Sequence, residues 1–217
     1  MHDGLETVRM RRLRYSALIL GLTLALSASN AAAERARILG PCEGCESVFE
    51  GIPDSIPHHS RIAPSREPGE PMRIDGIVRD AKGRPAAGVI VYAYQTDAKG
   101  IYPPPARATT TRHGRLRAWA RTDRDGRYTF DTIRPGGYPG TSLPQHVHFH
   151  ILEPGRSTYY IDDLVFTDDP RLTPAQRRAH SSGRGGVGVS TPSRNADGVW
   201  LARRDIVLGK GIVGYRD

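Results

Sequence analysis

The chain has 217 residues, enough for one domain with a full core plus appended segments. Its 24 Gly and 17 Pro favour a turn-rich β protein and speak against a helical bundle. The formal net charge is +8, but the basic residues are scattered arginines, with only Lys82, Lys99 and Lys210 as lysines; lacking a basic helix or an aromatic-basic motif, the chain does not read as a nucleic-acid binder.

Residues 1–33 read as an export signal. Arg9, Arg11, Arg12 and Arg14 form a positive start, Ser16 to Ala28 a short apolar run, and Ala31-Ala32-Ala33 a small-residue cleavage region. The apolar run is too short for a membrane span. The expectation is an exported protein, periplasmic or secreted, with no stable membrane span after signal removal. The Arg11-Arg12 pair points loosely to the twin-arginine route.

Residues 34–70 read as an extended Pro-rich arm laid over a core, with Val48 and Phe49 as its anchors. The arm carries the only cysteines, Cys42 and Cys45, in Gly-Pro-Cys-Glu-Gly-Cys-Glu. Outside the cytosol a local disulfide is the expected state, and the motif reads as structural. A zinc clip with His58 and His59 lacks the usual ligand spacing, and a lipid anchor on Cys42 would lie far past the apolar run.

From residue 71 to residue 217 the pattern is that of an all-β domain. Met72, Ile74 and Val78 share one face of a first strand, and Asp80 to Pro85 make a turn. Gly88 to Tyr94 is apolar on both faces, as a central sandwich strand would be. Tyr102 ends the next turn and is followed by Pro103-Pro104-Pro105, which forbid further ladder hydrogen bonds. Strands follow over 115–121 and from Arg127, joined by Thr122-Asp-Arg-Asp-Gly126, then over 146–152, 158–166 and 199–208. Thr173-Pro174 caps one short helix running to about His180. The result is an antiparallel β-sandwich of about seven or eight strands with long loops.

One stretch carries chemistry: Tyr138-Pro-Gly-Thr-Ser-Leu-Pro-Gln-His146-Val-His148-Phe-His150. On a strand, alternation puts the three imidazoles on one face, with neighbours roughly 6.5 Å apart. Tyr102 and Tyr138 end comparable Gly-containing turns, so with His146 and His148 the chain offers two phenols and two imidazoles. Phenolate is a hard anionic donor that suits a ferric ion better than Zn²⁺ or Mg²⁺. Tyrosines after turns are also common as core residues, and strand histidines as surface groups, so the residues alone leave both readings open.

The succession Asp75-Gly-Ile-Val-Arg-Asp-Ala-Lys-Gly-Arg-Pro, Val91 to Tyr102, Thr122 to Tyr138-Pro and His146-Val-His148-Phe resembles the intradiol ring-cleavage dioxygenases, of the protocatechuate 3,4-dioxygenase and catechol 1,2-dioxygenase type. The likeness runs from about Met72 to Phe166. It implies a β-sandwich holding non-haem Fe(III) through Tyr102, Tyr138, His146 and His148. It further implies a catechol-type aromatic diol and O₂ as substrates, with cleavage between the hydroxylated carbons to a muconate-type diacid. Tyr102 would correspond to the tyrosine retained in turnover and Tyr138 to the one that substrate displaces, receiving its proton. His150 has no counterpart in the family and is expected at the pocket edge or surface.

The family usually carries an arginine three residues before the first histidine; here that position is Leu143, and Arg134 or Arg117 would have to supply a guanidinium instead. The segment from Tyr138 to His146 is shorter than usual, and no helical dimerisation region precedes the sandwich, which leaves homo-oligomer formation open. The turn signals alone also resemble transthyretin-like and carboxypeptidase-regulatory β-sandwich binding modules, which bind no iron. Tyr102 together with His146-x-His148 separates the two readings, since a bare sandwich has no need of them.

Overall fold

The computed structural model describes residues 37–42, 44–104 and 112–216. The export signal expected over 1–33 lies outside them. Strands are numbered in chain order. One sheet runs in the order β1 (Arg37–Ile38), β8 (Ser157–Phe166), β7 (His146–Glu153), β4 (Ile90–Tyr94), β5 (Arg117–Arg121), with β9 (Val189–Ser190) beside β8. The other runs β10 (Ser193–Arg194), β11 (Trp200–Arg203), β3 (Pro71–Arg79), β6 (Arg127–Ile133), β2 (His59–Arg61), with β12 (Ile206–Val207) beside β3. Helix α1 (Pro174–His180) starts at Thr173, whose side chain and that of Gln176 form a capping box.

The two sheets pack through alternate residues. Val91 and Ala93 of β4, Val147, Phe149 and Ile151 of β7, and Met72, Ile74, Val78, Tyr128 and Phe130 of the second sheet share one buried cluster. The other face of the first sheet is also buried. Ile90, Tyr92 and Tyr94 of β4 join Trp119 and Leu152 in a second cluster, covered by Val48, Ile56, Phe49 and Ile52 of the N-terminal arm. This explains why β4 is apolar on both faces. A short 3₁₀ turn, Cys45–Val48, is held down where Trp119 Nε1 donates to Val48 O at 2.7 Å and Arg117 donates to Ser47 O at 3.1 Å.

The inner pairs β3–β6, β4–β5, β4–β7 and β7–β8 are antiparallel, as expected. β1, β2, β9, β11 and β12 each pair in parallel with a longer strand, β11 also carrying the antiparallel edge strand β10, so the sheets are mixed rather than purely antiparallel, and the strand total exceeds eight. The reason is the path of the chain: the arm and the C-terminal region return along sheet edges from far away, not through hairpins. Their two- to four-residue strands are too short to show alternation.

The single strand expected over 199–208 is split into β11 and β12 by Arg204, whose side chain is fully buried. Its guanidinium donates to Val187 O at 2.6 Å, Asp162 O at 3.0 Å and Arg184 O at 3.3 Å. Tyr128 donates to Arg204 O at 2.6 Å, and Gly76 leaves room for that carbonyl where any Cβ would collide with it. Arg204 thereby ties the C-terminal region to β8 and to the loop after α1. Arg204→Leu strands those carbonyls, and the expected loss is about 3 kcal/mol of unfolding free energy, read from the denaturant midpoint at unchanged slope.

Candidate metal centre

Four donor atoms converge above the outer face of the first sheet. Tyr102 Oη lies 2.5 Å from Tyr138 Oη and 2.7 Å from His148 Nε2. Tyr138 Oη lies 3.3 Å from His148 Nε2 and 3.2 Å from His146 Nε2. The two histidines come from alternate positions of β7; the two tyrosines come from loops 36 residues apart.

Those loops meet through their glycines. Asp97 Oδ1 accepts from the backbone of Lys99 at 2.8 Å and Ile101 at 3.0 Å, which closes the first turn. Gly136 N donates to Asp97 O at 2.8 Å, and Thr96 Oγ1 donates to Gly136 O at 2.8 Å. Gly100 has a positive φ of 83°, and a Cβ there would strike Gly137 O. The back-to-back turns therefore need glycine at the contact, and they carry Tyr102 and Tyr138 in together.

The histidine tautomers follow from acceptor-only partners. His146 Nδ1 faces Pro144 O at 2.7 Å, and His148 Nδ1 faces Asp163 Oδ1 at 2.7 Å, so each Nδ1 carries the proton and each Nε2 lone pair points at the phenols. Asp163 also accepts from Tyr160 Oη at 2.5 Å. The register of β7 and β8 shifts between Val147 and Phe149, which sets Asp162 and Asp163 against His148. The His148 ring is further fixed by stacking on Tyr94, with centroids 4.4 Å apart at 19°.

The electrostatics favour a cation. Burial, reinforced by the hydrogen bond and charge of Tyr138, pushes the Tyr102 phenol far above its ordinary range. Burial also raises Tyr138, and burial together with the nearby His148 lowers His146. Burial would raise Asp163 too, but its electrostatic interaction and hydrogen bond with His148 outweigh it and hold the carboxyl down to about 2. Phenols this reluctant to ionise need a highly charged ion beside them to do so. Two oxygen and two imidazole donors aimed at one point fit a hard ferric ion. His146, His148 and Asp163 also place ligand atoms within 4.8 Å of one another, but Asp163 Oδ1 is already engaged by His148 and Tyr160 and sits behind the imidazole.

The cluster opens into a cavity of about 540 Å³. Tyr94, Tyr102, Tyr138 and His148 line it together with Tyr160, Arg112, His113 and Arg184, and Pro41, Cys42 and Gly44 of the arm complete the lining. His146 and Leu143 face a smaller cavity of about 210 Å³ on the far side of Tyr138. Neither expected guanidinium lines the large cavity. Arg134 is held by Asp168 at 2.7 Å and Gln145 at 2.8 Å beneath Trp200, and Arg117 is used by the arm. Arg112 and Arg184 line it instead, Arg184 paired with Asp162 at 2.8 Å and stacked on Tyr160 at 4.7 Å.

Of the expectations about the arm and His150, the disulfide and the absence of a zinc clip hold, and the placement of His150 is overturned. Cys42 and Cys45 are disulfide-bonded, with Cα atoms 5.6 Å apart. His59 is bound to Asp131 at 2.9 Å on the second sheet and takes no part in a clip with the cysteines. His150 is neither at the pocket edge nor on the surface. It is fully buried beneath the cysteine loop, because the arm roofs the very face that alternation gives it.

A family profile described as “Dioxygenase” matches residues 55–198. The chain belongs to the intradiol ring-cleavage dioxygenase family. The protocatechuate 3,4-dioxygenase beta chain of Burkholderia cepacia is 30% identical over 116 residues, 48% of each chain. The 6-chlorohydroxyquinol 1,2-dioxygenase of Cupriavidus pinatubonensis is 33% identical over 139 residues, 54% of this chain and 49% of its own. The chain thus spans about half the length of the curated relatives it matches. Among solved structures, the dioxygenase domain of a carbohydrate-binding fusion protein from Streptomyces sp. SirexAA-E aligns with TM-score 0.52 at 26% identity, over 72% of this chain and 91% of its own. Acinetobacter radioresistens catechol 1,2-dioxygenase shares the fold with TM-score 0.56 at 20% identity, over 82% of this chain and 65% of its own.

Sequence reasoning about this family member missed Asp163, Tyr160, Arg184 and the cysteine loop as parts of the site. Asp163 is legible only once the register shift opposite His148 is known, and Arg184 sits in a Gly-rich loop with no motif around it.

Proposed function

We propose that Tyr102, Tyr138, His146 and His148 hold a non-haem ferric ion, and that the protein cleaves a catechol-type aromatic diol between its hydroxylated carbons with O₂, giving a muconate-type diacid. The observation that carries this reading is the meeting of two phenol oxygens and two Nε2 lone pairs beside a cavity sized for a small ligand, which Tyr102, Tyr138 and His148 line. A bare binding sandwich has no use for such a set.

Bound there, Fe(III) would supply Lewis acidity that draws electron density from the diol ring and makes it reactive toward O₂. The chain's own residues do the rest. Tyr138, half-buried at the cavity side and bonded to both histidines, is placed to take the proton of an incoming diol hydroxyl. Tyr102 is packed against the apolar outer cluster, so it stays in place when Tyr138 moves. Asp163 keeps the His148 lone pair aimed at the centre, and Arg112 and the Asp162-paired Arg184 put guanidinium groups on the cavity lining that Leu143 does not provide. The export reading of residues 1–33 places this chemistry in the periplasm or outside the cell, away from the cytosolic route for aromatic degradation.

The test is spectroscopic and chemical. Iron-loaded protein should be reddish from tyrosinate-to-iron charge transfer, change colour with added catechol, and consume one O₂ per ring opened. A protein that stays colourless after iron addition would sink the assignment.

A further inference from the structure

We infer that Cys42, Cys45 and His150 form a second metal site, for a thiophilic d¹⁰ cation of the Zn²⁺ type, built into the wall of the catalytic cavity and opened when the cysteine pair is reduced. This goes beyond the dioxygenase reading and does not depend on it.

His150 is fully buried on β7, opposite Tyr92 of β4 and Tyr160 of β8. Its Nδ1 points at the cysteine pair, 3.5 Å from Cys45 Sγ and 3.8 Å from Cys42 Sγ. Among the described residues its Nε2 has no hydrogen-bond partner. A disulfide sulfur neither donates nor accepts strongly, so the oxidised pair leaves a buried imidazole without a proper partner on either nitrogen. Buried polar groups left in that state call for a reason, and an ion ligated at Nδ1 supplies one.

The spacing suits such an ion. Tetrahedral Zn²⁺ binds sulfur at about 2.3 Å and imidazole nitrogen at about 2.0–2.1 Å, which sets a ligating S and N about 3.6 Å apart. Both observed S–N distances lie close to that value, so only the two sulfurs have to part. Cys45 and His150 are sealed in, while Cys42 is half-exposed and lines the cavity, so a fourth position is left facing solvent. Two thiolates, one imidazole and one open position make a zinc donor set of the exchangeable kind.

The conversion balances. A dithiol reductant donates two electrons and two protons to the Cys42–Cys45 disulfide, leaving two thiols and the reductant's own cyclic disulfide. Metal binding then displaces the two thiol protons into water.

The experiment uses the full-length protein after iron loading, with and without reduction, then titrated with Co²⁺ as a coloured stand-in for Zn²⁺. The expected result is one equivalent bound only after reduction, with near-ultraviolet thiolate-to-cobalt charge transfer, release of two protons, and displacement by Zn²⁺. The charge-transfer band comes from sulfur alone, so it reports this site whether or not the tyrosine–histidine set holds iron. Cys42→Ser/Cys45→Ser should lose the band, and His150→Asn should weaken binding on the order of 100-fold. A cysteine pair that serves only as a staple would give the same cobalt uptake before and after reduction, or a band that survives in the double serine variant. Either outcome overturns the inference, as does unfolding on reduction alone.

Discussion

Replacing His148 by alanine is expected to abolish both the tyrosinate colour and ring cleavage, while Phe149 and Val147 on the opposite face keep the sandwich core intact. His148 is the hub of the cluster: its Nε2 meets both phenol oxygens and its Nδ1 meets Asp163. The substitution removes a donor atom outright, and it leaves the Asp163 carboxylate with Tyr160 as its remaining side-chain partner. The loss of iron affinity should therefore exceed the roughly 10–100-fold that follows from disturbing an outer partner of a metal ligand. Chelator competition followed at the visible band measures it. Retention of colour and turnover in this variant would remove His148 from the ligand set. Tyr138→Phe is a companion with a different signature, since it removes the group placed to accept the diol proton but leaves Tyr102, His146 and His148 in position.

Asp163→Asn is expected to lower iron affinity by roughly 10–100-fold without losing the fold. The carboxylate accepts from His148 Nδ1 and Tyr160 Oη, and so fixes one tautomer and one ring orientation. An asparagine of the same size offers a neutral oxygen or, if its amide turns, an NH₂ that clashes with the Nδ1 proton. Either way the imidazole loses an anionic partner that strengthens it as a donor. Because Asp163 is a positioning residue, its substitution should leave the tyrosinate band present at saturating iron while shifting its energy, which a purely structural role would not do. Asp163→Glu, one methylene longer, should recover part of the affinity. Unchanged affinity and spectrum in Asp163→Asn would show that His148 is held by stacking on Tyr94 alone.

Much of this protein was legible in local patterns. Period-two alternation marks β3, β5, β6 and the histidine half of β7, and turn chemistry at Asp80 to Pro85 and Thr122 to Gly126 punctuates the chain. The pairing of Tyr102 and Tyr138 with His146-x-His148 was readable because each lies beside a signal of its own: a glycine turn, a proline, or strand alternation.

What the sequence could not show depends on packing between distant segments. Alternation assigns His150 to the same face as His146 and His148, yet it does not say what covers that face. Burial by the arm turned a residue expected at the surface into a sealed imidazole beneath Cys42 and Cys45. The same roof made Cys42 and Gly44 a wall of the cavity. Arg184 and Asp163 entered the site through a register shift and a Gly-rich loop, features fixed by how β8 meets β7 and how Arg204 holds the loop behind it. The sequence by itself determined the strands and the donor types, because those follow from periodicity and side-chain chemistry within short windows. Only the tertiary structure decided which donors meet, which face is closed and which charge reaches the cavity, because those depend on contacts between residues far apart in the chain.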